Sequence, residues 1–273
     1  MSRLATPTFA TRAIVLRSRP LGERDRALTL LCEDGAKLSA SARGARGTKS
    51  KLAAVSQPFL VARLLLARGK TFAIVQQAEI ENAHSHIVTN LQRATWAAYC
   101  CELCDALPED LPEAGAFALL EVALGALDAA PLQPADVEHR ALEAVGRWFE
   151  AHFLALLGYA PQLGRCLTCE RKIVVAPEEG ARKLAFSPTM GGTLCSSCAA
   201  RDAGHLEART DALRTLHKLE RSSAPPLAER WELGAATRRD LRDVLRASLR
   251  AHLGVRLRSQ RLLDEFADEI SVS

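Results

Sequence analysis

Four of the eight cysteines in this 273-residue chain fall in two pairs, Cys166-Leu-Thr-Cys169 and Cys195-Ser-Ser-Cys198, with 25 residues between them. Pairs at this spacing, each preceded by a glycine turn (Gly164; Gly191 and Gly192), can set four thiolates tetrahedrally about 2.3 Å from one Zn²⁺. Four sulfurs close the coordination sphere and leave no position for water or substrate. The expected metal is therefore one structural zinc ion, whose binding is folding energy for a segment too small to build its own core. Four merely buried thiols are the competing reading, and the pairing within a Gly-rich stretch speaks against it. A zinc deaminase is excluded by order as well as by ligand set, because the H-x-E triplet His205-Leu-Glu207 lies downstream of both pairs. Cys32, Cys100, Cys101 and Cys104 sit in apolar runs, where cysteine ordinarily serves as a small buried hydrophobe.

The second chemistry is cationic. Arg43-Gly-Ala-Arg46-Gly-Thr-Lys49-Ser-Lys51 puts four cations within nine residues, among glycines and small polar residues that leave backbone N–H groups free to approach phosphates. Arg12, Arg24, Arg26 and Lys37 share the same N-terminal segment. Residues 1 to 80 hold 14 Lys and Arg against 5 Asp and Glu, a net +9; residues 81 to 164 hold 3 against 12, a net −9; the remainder carries +4, which is also the net charge of the whole chain. A reversal of that size at one boundary marks two domains with different partners, the basic one seeking a polyanion. Aromatic residues make up only 5% of the chain, so contact with nucleic acid is expected to be electrostatic and weakly sequence-specific. A second stripe, Arg239, Arg242, Arg246 and Arg250, lies on a helical segment opposite Leu241, Leu245 and Leu249, and reads equally as a solvated face or an accessory DNA surface. No P-loop, GxSxG or HExxH motif is present and the seven histidines are scattered, so no catalytic residue is assigned and a non-enzymatic protein is expected. A zinc-dependent hydrolase would need an open metal position that four cysteines deny.

These groups must be positioned by elements of two kinds. From Thr11 to about Ile80 short alternating apolar runs are punctuated by turns at Glu33-Asp34-Gly35 and Arg68-Gly69-Lys70, which predicts five strands in a small antiparallel barrel or sandwich, its longest connection being the basic stretch Gly44 to Gln57. After Asn82 the period becomes helical. Ile87, Leu91, Ala94, Ala98 and Cys101 are expected on one face; Phe117, Leu120, Leu124 and Leu127 repeat the pattern, and Leu142, Val145, Phe149, Phe153 and Leu156 follow on a third helix. Helical period stops between Gly158 and Gly204, where strand-like Lys172–Val175 and Lys183–Phe186 separate the cysteine pairs, and resumes near Thr210. The expected organisation is an α+β multidomain chain: a five-stranded β-barrel over 1–81, a helical domain over 82–160 and 205–273, and a four-cysteine zinc-ribbon insert over 161–204. No secretory signal and no apolar span is visible, which points to the cytoplasm.

The order of motifs resembles the RecO family of bacterial recombination mediators. The run from Ala13 through Gly22, Glu23 and Asp25 to the basic Ala42-Arg43-Gly44 loop is similar to the family's opening; Gln57-Pro58-Phe59 resembles its Q-P-F; Leu157-Gly158-Tyr159-Ala160-Pro161 and Phe186-Ser187-Pro188, each leading into a CxxC, resemble its metal insert. The resemblance covers nearly the whole chain. It implies an OB-fold barrel that binds single- and double-stranded DNA, annealing of complementary strands, and assistance in loading the recombinase RecA onto DNA coated by single-stranded DNA-binding protein (SSB), together with the partner RecR, in the nucleoid. No membrane and no small-molecule substrate is implied. A non-DNA-binding interaction adaptor scaffolded by a structural zinc is the alternative.

Overall fold

The computed structural model describes residues 7–47, 50–109, 112–131, 134–173, 182–226, 228–254 and 257–271. Five strands, β1 (Thr8–Leu21), β2 (Asp25–Cys32), β3 (Lys37–Ala42), β4 (Val61–Ala67) and β5 (Ala73–Asn82), close into a barrel of order β1-β2-β3-β5-β4. One parallel contact, β3 with β5 at Ala40↔Ala73, and the antiparallel closure of β1 on β4 give the Greek-key order of an OB-fold. Alternation is what makes these strands: Ala13, Val15, Leu28, Leu30, Cys32, Ala40, Ala42, Leu64, Leu66 and Val75 turn inward to a sealed core. A β-bulge between Val15 and Arg17 bends the long β1, letting one strand pair on both sides. The basic connection after β3 is not wholly loop, for Lys51–Val55 forms a short helix, α1, whose Val55 packs into the core. Ser50 caps it, accepting from the Leu52 N–H at 3.3 Å.

Helices follow: α2 (Ser85–Thr89), α3 (Leu91–Asp105), α4 (Ala114–Ala129) and α5 (Ala135–Leu156). Asn90 ends α2 and caps α3 through its side chain, accepting from the Arg93 N–H at 3.1 Å. Of the expected face Ile87 and Cys101 are buried and Ala94 and Ala98 half-buried, but the break leaves Leu91 67% exposed and centres the buried face of α3 on Trp96, Ala97, Cys100, Cys101 and Cys104. A face predicted by counting through Asn90 assumes one continuous helix, and the cap resets the count. Phe117, Leu120, Leu124 and Leu127 are buried as expected. The insert contributes β6 (Lys183–Ser187), β7 (Gly192–Leu194), the short α6 (Ser196–Ala199) and β8 (Leu206–Arg209), its sheet running β7-β6-β8. Lys172 makes only an isolated bridge to Arg165, while Val174 and Val175 of the expected strand lie outside the described residues. Helices α7 (Thr210–Glu220), α8 (Ala235–Leu253) and α9 (Gln260–Ser271) complete the chain.

The chain forms two compact units: the barrel with α2–α4 and Leu257–Asp264, and a second unit of Ala130–Arg256 and Glu265–Ser273 that contains α5, the cysteine-bearing insert, α7 and α8. No helix among the described residues is long and apolar enough to cross a membrane.

Candidate metal centre and nucleic-acid interface

The first cysteine knuckle is built by backbone hydrogen bonds. The Cys166 N–H donates to the Arg171 carbonyl at 2.9 Å and the Glu170 N–H returns to the Cys166 carbonyl at 2.9 Å, a turn tight enough to hold Glu170 at φ 58°. The second knuckle leaves β7 directly into α6, where the N–H groups of Cys198 and Ala199 donate to the Cys195 carbonyl at 3.0 and 2.8 Å. Thr193 joins the two: its N–H donates to Gln162, its carbonyl accepts from Leu167, and its buried hydroxyl donates to the Arg165 carbonyl at 3.0 Å. Gly192 is required here, since a Cβ at that position would lie 2.4 Å from the Gln162 carbonyl oxygen.

The result brings the four sulfurs of Cys166, Cys169, Cys195 and Cys198 within 4.8 Å of one another. Cys169 Sγ and Cys195 Sγ lie 3.7 Å apart. Sulfurs at the corners of a tetrahedron about 2.3 Å from a central ion are about 3.8 Å apart. The Ser197 hydroxyl, aided by the Cys198 N–H, pulls the Cys195 thiol down to about 6, while the hydrogen bond with Cys195 pushes Cys198 up to about 12. Outside this group burial is the largest cause, raising Cys32 to about 11 and Cys101 well above the ordinary thiol value. The four-cysteine group can hold a metal ion, and its soft, tetrahedral donor set suits zinc.

In the other unit, strand register gathers three loops at one end of the barrel. Arg26 at the start of β2 pairs with Ala42 at the end of β3, and Ala40 pairs with Ala73 at the start of β5. The β1–β2 turn, the loop after β3 and the β4–β5 loop therefore share that end. The Arg46 guanidinium donates to the Gly22 carbonyl at 2.7 Å and the Gly44 N–H to the Asp25 carboxylate at 2.8 Å, lacing the first two loops together. Arg24, Arg43, Arg46 and Lys51 are exposed there, Arg26 is half-buried with its Nε donating to the Ser18 hydroxyl at 2.7 Å, and Lys49 lies outside the described residues.

The third loop adds exposed Arg68 and Lys70, which the sequence pattern marks only as a turn; the Arg-Gly-Lys triplet was the available signal. The Arg68 guanidinium stands 5.7 Å from the centroid of the Phe9 ring.

Two expected DNA-binding cations are placed elsewhere. Arg12 sits at the opposite end, beside the β2–β3 turn, donating to Glu33, Glu81 and Glu121 at 2.9, 2.8 and 2.6 Å with Phe117 under its guanidinium. The hydrogen bond from Arg12, with a second from Arg63 at 2.9 Å, holds the Glu81 carboxyl below the usual carboxylate range. Lys37 opens β3 at that same end, where its nearly buried ammonium donates to the Asp105 carbonyl and desolvation lowers its affinity for a proton. Of the α8 stripe, Arg239 and Arg250 are exposed, whereas Arg242 and Arg246 are half-buried and Arg242 reaches Asp243 at 3.3 Å.

Residues 6–84 match the family model described as Recombination protein O N terminal, and residues 88–261 match Recombination protein O C terminal. The chain is 35% identical to the DNA repair protein RecO of Desulforudis audaxviator, over 90% of this chain and 92% of that protein. It is 31% identical to the RecO of Moorella thermoacetica, over 96% and 92%. Against the RecO of an Anaeromyxobacter strain it is 35% identical, over 95% and 97%.

Proposed function

The chain belongs to the RecO family of DNA repair and recombination proteins, and from that premise we propose that it is a non-enzymatic recombination mediator which grips DNA at the loop end of its barrel. It binds single- and double-stranded DNA, anneals complementary strands, and assists the loading of RecA onto SSB-coated DNA together with RecR. The four cysteines hold one structural zinc ion, which fixes the two knuckles and takes no part in chemistry.

The observation that carries this reading is the convergence of Arg24, Arg43, Arg46, Arg68 and Lys70 on the three loops at one end of the barrel, with Lys51 opening the short helix that follows the second of them. OB-folds take oligonucleotides on the β2–β3 face and the β1–β2 and β4–β5 loops. These six exposed cations, with few aromatic side chains to stack on bases, favour contact with the phosphate backbone whatever the sequence. Family membership supports the annealing and RecA-loading parts of this reading, and DNA binding is their prerequisite.

The test is fluorescence anisotropy of labelled single-stranded and duplex oligonucleotides across a salt series. Five phosphate contacts on a single strand correspond to about a hundredfold loss of affinity between 50 and 200 mM salt. R43E/R46E/R68E/K70E should remove this steep component while the fold is retained. A flat salt dependence, or a variant that binds like the wild type, rejects the placement. Retention of RecR by a chain without DNA affinity would favour the adaptor.

A further inference from the structure

Beside the four-cysteine group lies a cleft that shares one of its residues, Cys195, and otherwise extends away from it. It holds about 630 Å³ between the segment that follows the first knuckle, the second knuckle and the three-stranded sheet, and its rim carries Arg171, Lys172, Arg182 and Lys183. All four are exposed. Arg171 and Lys172 follow Cys169 by two and three positions, and the Arg165–Lys172 bridge fixes that strand end. Lys183 opens β6 opposite Arg209, whose own guanidinium is taken by Asp240 at 2.6 Å.

The only carboxylate among the described lining residues is Glu207, with His205 Nε2 3.5 Å away. The floor is apolar but sealed: Leu184, Ala185, Leu194 and Ala199 are each no more than 7% exposed. Among the described lining residues a ligand therefore meets mainly cations, with little apolar surface to anchor an amphipathic peptide and no Phe, Tyr or Trp ring.

We infer that this cleft is a second nucleic-acid site, taking the phosphate backbone of a single strand independently of sequence. The inference deepens the DNA-binding function proposed above and rests on it. Four cations around a concave, low-dielectric wall concentrate a polyanion. The metal positions half of them, because the knuckle that carries Arg171 and Lys172 is tied to Cys166 and Cys169. Each unit of the chain then carries its own backbone-binding surface, so that two strands can be held by one molecule. A strand gripped by phosphate keeps its bases free to pair, which is what annealing needs.

The test uses the zinc-loaded full chain and a short labelled oligothymidylate, titrated to saturation at low salt. The wild type should bind two equivalents. R171E/K172E/R182E/K183E should bind one, and the salt slope summed over both sites should fall by about 0.7 for each phosphate contact removed. R171Q/K172Q/R182Q/K183Q, a milder change, should do the same, and one zinc equivalent measured in each variant shows that the knuckles are intact.

Two equivalents bound by either variant with an unchanged slope overturn the inference. So does unchanged oligonucleotide binding accompanied by loss of poly-L-glutamate binding, which would make the cleft a site for an acidic polypeptide. The barrel variant R43E/R46E/R68E/K70E should keep one equivalent. If it keeps two, the barrel placement fails while the cleft stands; if only the cleft variants keep two, the reverse holds.

Discussion

Glu220, the last residue of α7, places a carboxyl where nothing compensates its charge. Its side chain is 13% exposed, Oε1 is buried without a partner, and the nearest cationic candidate, His217 Nδ1, is 3.8 Å from Oε2. Burial pushes this carboxyl up to about 7. An unfolded glutamate titrates near 4.3, so between the two values the folded chain holds a proton that the unfolded chain has released, and stability must fall as pH rises through that window. The difference corresponds to about 3 kcal/mol of stability at most, present in full below pH 4.3 and lost above pH 7.

Glu220→Gln removes the titration while keeping the shape. Its amide still needs hydrogen-bond partners, so the expected gain at pH 8 is about 1 to 3 kcal/mol, shrinking to zero or below near pH 4.5. Urea denaturation from pH 4.5 to 8 measures it through tryptophan fluorescence, because Trp148 and Trp231 are buried in the same unit as Glu220. The quantity to plot is the difference between variant and wild type, which cancels every other titrating group. A difference that stays level with pH, or a variant less stable at pH 8, would refute the argument that Glu220 is desolvated without compensation.

Cys166→Ser should lower zinc content below one equivalent and expose the insert to protease, with the barrel's melting transition unmoved; full zinc retention by metal analysis would reject the ligand assignment. Gly192→Ala must displace the Gln162 carbonyl, which a Cβ would approach to 2.4 Å, so zinc release to a chelator should be at least tenfold faster, read with a chromogenic acceptor. Arg12→Met leaves Glu33, Glu81 and Glu121 facing one another without their shared cation, and should cost about 1 to 2 kcal/mol in thermal denaturation, less at high salt. It should leave oligonucleotide affinity unchanged within twofold, since Arg12 lies at the barrel end away from the basic loops.

Residue order alone determined the parts of this protein whose signals span a few residues. Two CxxC pairs beside glycines announce a thiolate knuckle because the turn that points both sulfurs one way is local. Alternation in Lys37–Ala42 and in β2 announces half-buried strands because the pleat has a period of two. Even so, the helical face counted from Ile87 through Leu91 went astray at Asn90, where one side-chain cap restarts the helix.

Tertiary structure alone decided which cations face outward together. Arg12 and Arg24 stand twelve residues apart in one basic segment, yet the length of β1 and its antiparallel return put them at opposite ends of the barrel, the first among three carboxylates and the second on an open loop. Arg68 and Lys70 join that open end only because β5 runs parallel to β3. Charge counting treats a segment as a line, whereas closure of the barrel depends on pairings between residues up to dozens of positions apart. The cleft that gathers Arg171 and Lys172 with Arg182 and Lys183 likewise exists only once two distant knuckles have been drawn around one point.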